Sequence, residues 1–211
     1  MTDLLSWLGR RFGRGQHRQH GMAEFAAEIG FYYADSNKEL TRRWTGSPFG
    51  VGDIRRARNV LTGYQHGRRV VAFDYSCREV GHPAQRYGVV VIKLQTGLPR
   101  IEVTGRWAVD AVRELAGTGR VESESEQFNR EFTVVAADQR FGHAMMHPRM
   151  MEFLLAHGDL AWRIEGDDLL CWAEGHLWPA DMLARAEYLA GIAALIPAFV
   201  WADYGRDPGL S

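Results

Sequence analysis

His143 and His147 stand four residues apart. On a helix that spacing puts both imidazoles on one face, the arrangement that zinc asks of two ligands. Ala144 occupies the place where a zinc protease carries its general-base glutamate, and Pro148 interrupts the helix beside the second histidine. No third ligand is nominated by spacing, so no metal site is expected. Asn129 and Arg130 lie just upstream, in a stretch over 128–135 that alternates like a strand and places Arg130 on the face of Phe128, Phe132 and Val134. Arg55, Arg56 and Arg58, with Arg42 and Arg43 before them, form a basic cluster beside the glycine-rich loop 45–52. Such a cluster suits an anion such as a phosphate or a lipid headgroup. The loop lacks the Lys-Ser/Thr ending of a phosphate-binding loop, and no strand precedes it, so neither that reading nor a dinucleotide fingerprint holds. No cofactor is expected. No Gly-x-Ser-x-Gly occurs, and Cys77 and Cys171 have no local nucleophile signature. Carboxylates at Asp74, Glu122, Glu124, Glu126, Asp167 and Asp168 can do acid–base work only where a fold gathers them in a cleft. Met145, Met146, Met150 and Met151 fit core filler, or a groove for a peptide or lipid chain.

The elements that must position these groups are readable from periodicity. A helix over 22–28 closes at Gly30, and the aromatic run 31–33 is strand-like. Ser36 with Glu39 forms a capping box that predicts a helix to about residue 44. From 59 onward the pattern alternates. Val71, Phe73, Tyr75 and Cys77 fall on one face, with Val70, Ala72 and Asp74 on the other. Strands are predicted over 59–64, 68–76, 87–94, 98–103, 128–135, 160–164 and 170–172, with turns at Thr96-Gly97 and Gly166-Asp167. Helices are predicted over 107–116 and 138–155; Asp138 caps the latter, and Pro148 restarts it at a first helical position. Met182, Ala186, Leu189, Ala193 and Ile196 recur at helical steps between Pro179 and Pro197, followed by a tail with two aromatics. The fold class is therefore α+β: an antiparallel sheet or half-barrel of about seven strands with a long C-terminal amphipathic helix, an arithmetic shared with pleckstrin-homology-like arrangements.

The whole chain narrows the function classes. Its net charge of −1 argues against a protein built to coat nucleic acid, so no nucleic-acid partner is expected. Two cysteines far apart are no disulfide framework and suit a reducing compartment. The uncharged run 188–201 is shorter than the roughly 20 residues of a membrane span and is broken by Pro197. Residues 1–21 read as a basic amphipathic arm before a single domain over 22–205 and a tail over 206–211. Leu4, Leu5, Leu8 and Phe12 share a helical face with Trp7 at its edge and Arg10, Arg11 and Arg14 around it. That composition resembles an interfacial anchor and equally suits docking on a protein. Anionic lipid or a protein partner through this arm is the partner expectation, with a cytoplasmic location and association at the inner membrane face.

Two blocks of residues resemble an actinobacterial family of uncharacterised function. One is Arg43-Trp44 with Pro48-Phe49-Gly50, then residues 55–63 and 72–76. The other is Glu124-Ser125 with residues 128–132, His147-Pro148-Arg149-Met150-Met151 and residues 200–205. The similarity spans about 25–205 and implies one soluble domain; it carries over no activity and no catalytic residue. The expected function is a non-enzymatic binding or interaction module, peripheral at a membrane surface. An enzyme with a site near His143 and His147 is the alternative.

Overall fold

A computed structural model describes residues 16–105, 119–158 and 160–206 of the 211-residue chain. In chain order the elements are α1 (Gln16–Glu28), β1 (Tyr32–Ser36), β2 (Ile54–Gln65), β3 (Arg68–Arg78), β4 (Gln85–Gly105), β5 (Gly119–Val121), α2 (Glu126–Glu131), β6 (Phe132–Ala136), α3 (Gln139–Met145), α4 (Pro148–His157), β7 (Ala161–Glu174), α5 (Pro179–Leu195) and α6 (Ala198–Tyr204). The seven strands form one sheet in which every pair is antiparallel, and two helices close the chain. That is the expected α+β architecture, reached with a different set of strands.

The spine is the pair β4 and β7. Along one edge β4 pairs with β7 from Tyr87↔Glu174 to Val103↔Trp162. Its other edge is shared. The first half takes β3 (Val89↔Phe73), and the second half takes β6 (Val103↔Val134). Thr96-Gly97 and Gly166-Asp167 are therefore not hairpin turns. They lie in register shifts within two long bent strands, where Leu98 faces Gly166. Gly166 has φ 62°, which a glycine adopts without a Cβ clash. An inserted residue in a strand flips the inside–outside alternation. The shifts thus keep Val90, Ile92, Ile101 and Val103 all on the helix side, although their parity changes along the strand. The β2–β3 hairpin does turn where expected, with His66 and Gly67 both at positive φ, as a two-residue loop matched to strand twist requires.

Both faces of the sheet are covered. On one face Val70, Ala72, Ile101 and Trp162 meet helices α1 and α3 to α6 through Phe25, Met150, Leu154, Leu189 and Val200. The methionines of 145–151 pack in or against this core rather than line a groove. On the other face Phe73, Tyr75, Val89, Leu170 and Trp172 are covered by Leu40, Trp44 and Phe49 from the segment 37–53, a strap that crosses the sheet. The run Val89-Val90-Val91-Ile92, apolar on both faces, reads as a central strand and is one here; the strap as the second cover was not anticipated.

Four expectations are corrected. Residues 16–21 open helix α1 instead of ending an arm. The helix expected from Ser36 shrinks to a 3₁₀ turn at Glu39–Thr41, because Ser36 is held in β1 opposite Arg58 and cannot cap; the Asn37 side chain accepts from Glu39 N at 2.9 Å instead. Residues 128–131 are helical, because Ser125 Oγ accepts from Phe128 N at 3.2 Å and caps α2. The aromatic tail is helix α6, and Arg206 beyond it is bonded through both backbone groups to Gly97 at the bend of β4. The arm over 2–14 and the helix expected over 107–116 lie outside the described residues. Among the described residues no single helix is long and apolar enough to cross a membrane; α5 and α6 together would be, yet they bend by 79° between them.

Gly63 leaves room for a ring. A Cβ there would sit 2.4 Å from two ring carbons of Phe31, which is buried in the helix-side core. Gly63→Ala is expected to lower the unfolding free energy by about 1–3 kcal/mol through overpacking, seen as a lower urea midpoint with an unchanged slope.

Candidate binding site at the strap

The charged groups that the fold gathers lie on the strap side of the sheet. Trp162 and Ile164 point to the helices, so Arg163 and Glu165 between them point to the strap; Glu102 does the same between Ile101 and Val103. Register sets Glu102 directly opposite Arg163. The Arg163 side chain is fully buried, and Glu102 is 1% exposed. Arg163 donates from Nε and Nη2 to Glu102 Oε2, both at 2.8 Å. It also donates to the strap carbonyls of Thr45 at 2.7 Å and Ser47 at 2.8 Å. Its guanidinium lies 5.0 Å from the Trp172 ring centre and 5.7 Å from that of Phe49. Arg100 adds two bonds to Thr45, at 2.7 Å to the carbonyl and 3.0 Å to the hydroxyl. Burial pushes the Glu102 carboxyl up from the usual carboxylate range, and the Arg163 and Arg100 charges pull it back. A guanidinium remains protonated at neutral pH, so the pair is a buried ion pair with most of its donors satisfied. Its work is to fasten the strap.

Just before Thr45 in the strap the same chemistry meets solvent, with the Arg43 side chain 42% exposed. Arg43 donates to both oxygens of Asp168, from Nε at 2.5 Å and from Nη2 at 3.1 Å. The Trp44 indole N–H reaches Asp168 Oδ2 at 3.0 Å, and Lys93 Nζ reaches Asp167 at 2.5 Å and Asp168 at 3.1 Å. Beside this cluster a cleft of about 100 Å³ opens between the strap and the sheet. Its floor includes Val60, Val71 and Val91, and its rim Glu39, Arg43 and Arg69. A small concavity with an apolar floor and a few fixed polar groups is the general form of a ligand site.

The site residues expected from sequence are dispersed. Arg55, Arg56 and Arg58 sit in β2, where alternation splits them: Arg55 is half-buried on the Tyr75 side of the sheet, while Arg56 and Arg58 are exposed. Asn129 and Arg130 are on α2. Asn129 ties down Ser123, accepting from its N–H at 3.0 Å and donating to its carbonyl at 2.7 Å, and Arg130 is exposed rather than facing an apolar strand. His143 bonds the Gln139 carbonyl at 2.7 Å within its own helix, whereas His147 Nε2 meets the Leu195 carbonyl at 2.9 Å at the end of α5. The two rings thus serve different helices. No group of three or more His, Cys, Asp or Glu among the described residues could hold a metal ion.

No protein-family model matches the chain, and no curated protein matches it either. A solved structure shares this fold. It is the mycobacterial trehalose monomycolate transport factor A, TtfA, with a TM-score of 0.67 and 17% sequence identity. The likeness covers 87% of this chain and 98% of TtfA. At that identity the likeness is one of fold, and it extends over nearly the whole chain of that solved structure.

The strap network was missed by sequence reading, although its signal was present. Arg163, Glu165 and Glu102 are charged residues on the reverse face of strands whose other face is wholly apolar. What was missing was the pairing of β4 with β7, which sets the charges opposite one another.

Two variants probe this side of the sheet. Glu102→Ala leaves a buried guanidinium without its counter-charge and is expected to cost about 3–5 kcal/mol, while Glu102→Leu combined with Arg163→Met recovers most of the loss in urea titrations. Tyr75 lies fully buried under the strap, and burial, with Cys77 next, pushes its phenol up to about 12. A raised folded value means that the stability Tyr75 contributes is complete below its unfolded value of about 10 and is lost as pH climbs towards 12. Tyr75→Phe is therefore expected to flatten the fall of unfolding free energy between pH 10 and 12; an unchanged slope would place Tyr75 in contact with water.

Proposed function

We propose that this chain is a non-enzymatic binding module that serves transport at a membrane surface. The observation that carries the reading is the cleft at the strap. Ion pairs of Arg43 and Lys93 with Asp167 and Asp168 hold the cleft wall in a fixed arrangement, and Glu39 and Arg69 on the rim face the cleft with one charge of each sign. The fold shared with TtfA supports the transport class, since that protein is a transport factor for trehalose monomycolate, a sugar ester by its name. Against the enzyme alternative near His143 and His147 stands the engagement of the two rings with carbonyls of different helices.

Membrane contact is assigned to the arm. Leu4, Leu5, Trp7, Leu8 and Phe12 supply the apolar side, and Arg10, Arg11 and Arg14 supply attraction to anionic headgroups, about 1 kcal/mol for each arginine near the surface. The test is co-sedimentation with phosphatidylglycerol vesicles. The full chain is expected to pellet with the vesicles and to be released by added salt, while a chain beginning at Gln16 stays in solution. Equal pelleting of the two chains would remove the anchor and with it the surface location.

A further inference from the structure

Two tyrosines on the strap side of the sheet are 73% exposed, Tyr32 and Tyr64. Register ties both to the cleft. Tyr32 pairs with Thr62 across β1 and β2, and Tyr64 pairs with Arg69 across β2 and β3; Thr62 and Arg69 both line the cleft. Partners in an antiparallel pair project to the same face, so Tyr32 and Tyr64 lie outside the cleft lining but on the same face of the sheet, each next to a residue that lines it. Tyr33, between Tyr32 and Ala34, points the other way and packs on the helix-side core. The tyrosines therefore extend the cleft into a short aromatic platform.

Charge decides what such a platform holds. Arg43, Arg69 and Lys93 line the cleft with Glu39 and Asp168, and Asp167, bonded to Lys93 just outside the lining, brings the sum of these charges to zero. An anion approaching the cleft meets the Glu39 carboxylate on its rim. A neutral ligand whose groups both donate and accept meets suitable partners on every side, with Asn37 and Thr62 added to the charged groups. Sugar hydroxyls have that property. The C–H face of a pyranose ring suits the electron-rich face of a tyrosine, and its edges suit the Val60, Val71 and Val91 floor.

We propose that the cleft at the strap, with Tyr32 and Tyr64, is a carbohydrate site that takes a neutral sugar, either as the headgroup of a glycolipid or as a free oligosaccharide. The assignment rests on the binding-module reading above and specifies its ligand. Trp44 supplies a reporter, because its indole N–H is bonded to Asp168 in the cleft wall.

The experiment follows tryptophan fluorescence of the full chain with three probes: phosphatidylcholine vesicles carrying a diglucosyl diacylglycerol, the same vesicles without it, and free trehalose. A saturable change with the glycolipid vesicles and none with plain vesicles is expected. Trp44→Phe should abolish the change. Tyr32→Ala combined with Tyr64→Ala removes two modest stacking interactions and should weaken binding about tenfold. Both tyrosines are exposed, so circular dichroism of the double variant should match the parent. Competition by free trehalose assigns the site to free sugar as well, and its absence assigns it to a lipid-borne headgroup. Vesicle binding indifferent to the sugar, or stronger binding to phosphatidylglycerol vesicles that the tyrosine variants weaken equally, overturns the carbohydrate site and leaves the binding module standing. Failure to bind any vesicle or sugar removes both.

Discussion

One guanidinium organises the strap side of this protein. Arg163 is fully buried, and a cation in that position is tolerated only with its counter-charge and donors in place. Glu102 supplies the charge from the adjacent strand, and Thr45 and Ser47 supply carbonyls from the strap. The sheet cannot satisfy Arg163 alone, so the strap must lie where it does. That position drops Phe49 against Tyr75 and Trp172, and stacks Trp44 on Phe73 at 5.9 Å. The apolar cover and the ionic fastening thus depend on one another. Replacing the pair with apolar residues of similar volume keeps the cover, whereas removing one partner does not.

The pair β4–β7 provides the rigid frame for that interaction. Two bent strands, paired nearly end to end, let one edge of β4 serve β3 and β6 in turn. The register shifts preserve an apolar helix-side face through the bend. They also turn Glu102, Arg163 and Glu165 to the same side as Val89, Val91 and Trp172, so a salt-bridged region continues directly from an apolar one. Just before Thr45 in the strap, the ion pairs of Arg43 and Lys93 with Asp168 reach solvent and border the cleft. The strap fastening and the wall of the candidate cleft are therefore carried by one continuous row of side chains. Whatever moves the strap also changes the cleft wall.

Local signals in the sequence were reliable where a single element decides the outcome. Gly30, Asp138 and Pro148 mark helix ends by backbone chemistry that needs no partner, and all three do so here. The alternation along β3 and the helical steps from Met182 to Ile196 likewise fix which side chains are buried. Signals failed where two elements compete. Ser36 reads as a helix cap yet is claimed by the ladder with β2, and Gly97 and Gly166 read as turns yet lie in register shifts within the paired strands β4 and β7. The histidine pair failed for the same reason: four-residue spacing predicts a shared face, and His147 instead turns to the end of a helix distant in sequence.

The sequence by itself determined the α+β class, the antiparallel sheet, the C-terminal helix and the absence of familiar catalytic motifs, because periodicity and turn chemistry act over a few residues. Only the tertiary structure decided where the site lies. Arg43 and Asp168 are 125 residues apart, and Arg163 meets Thr45 across 118. Charges so far apart in the chain find one another only after β4 and β7 have paired, and that pairing is set by two buried faces closing at once rather than by any local pattern.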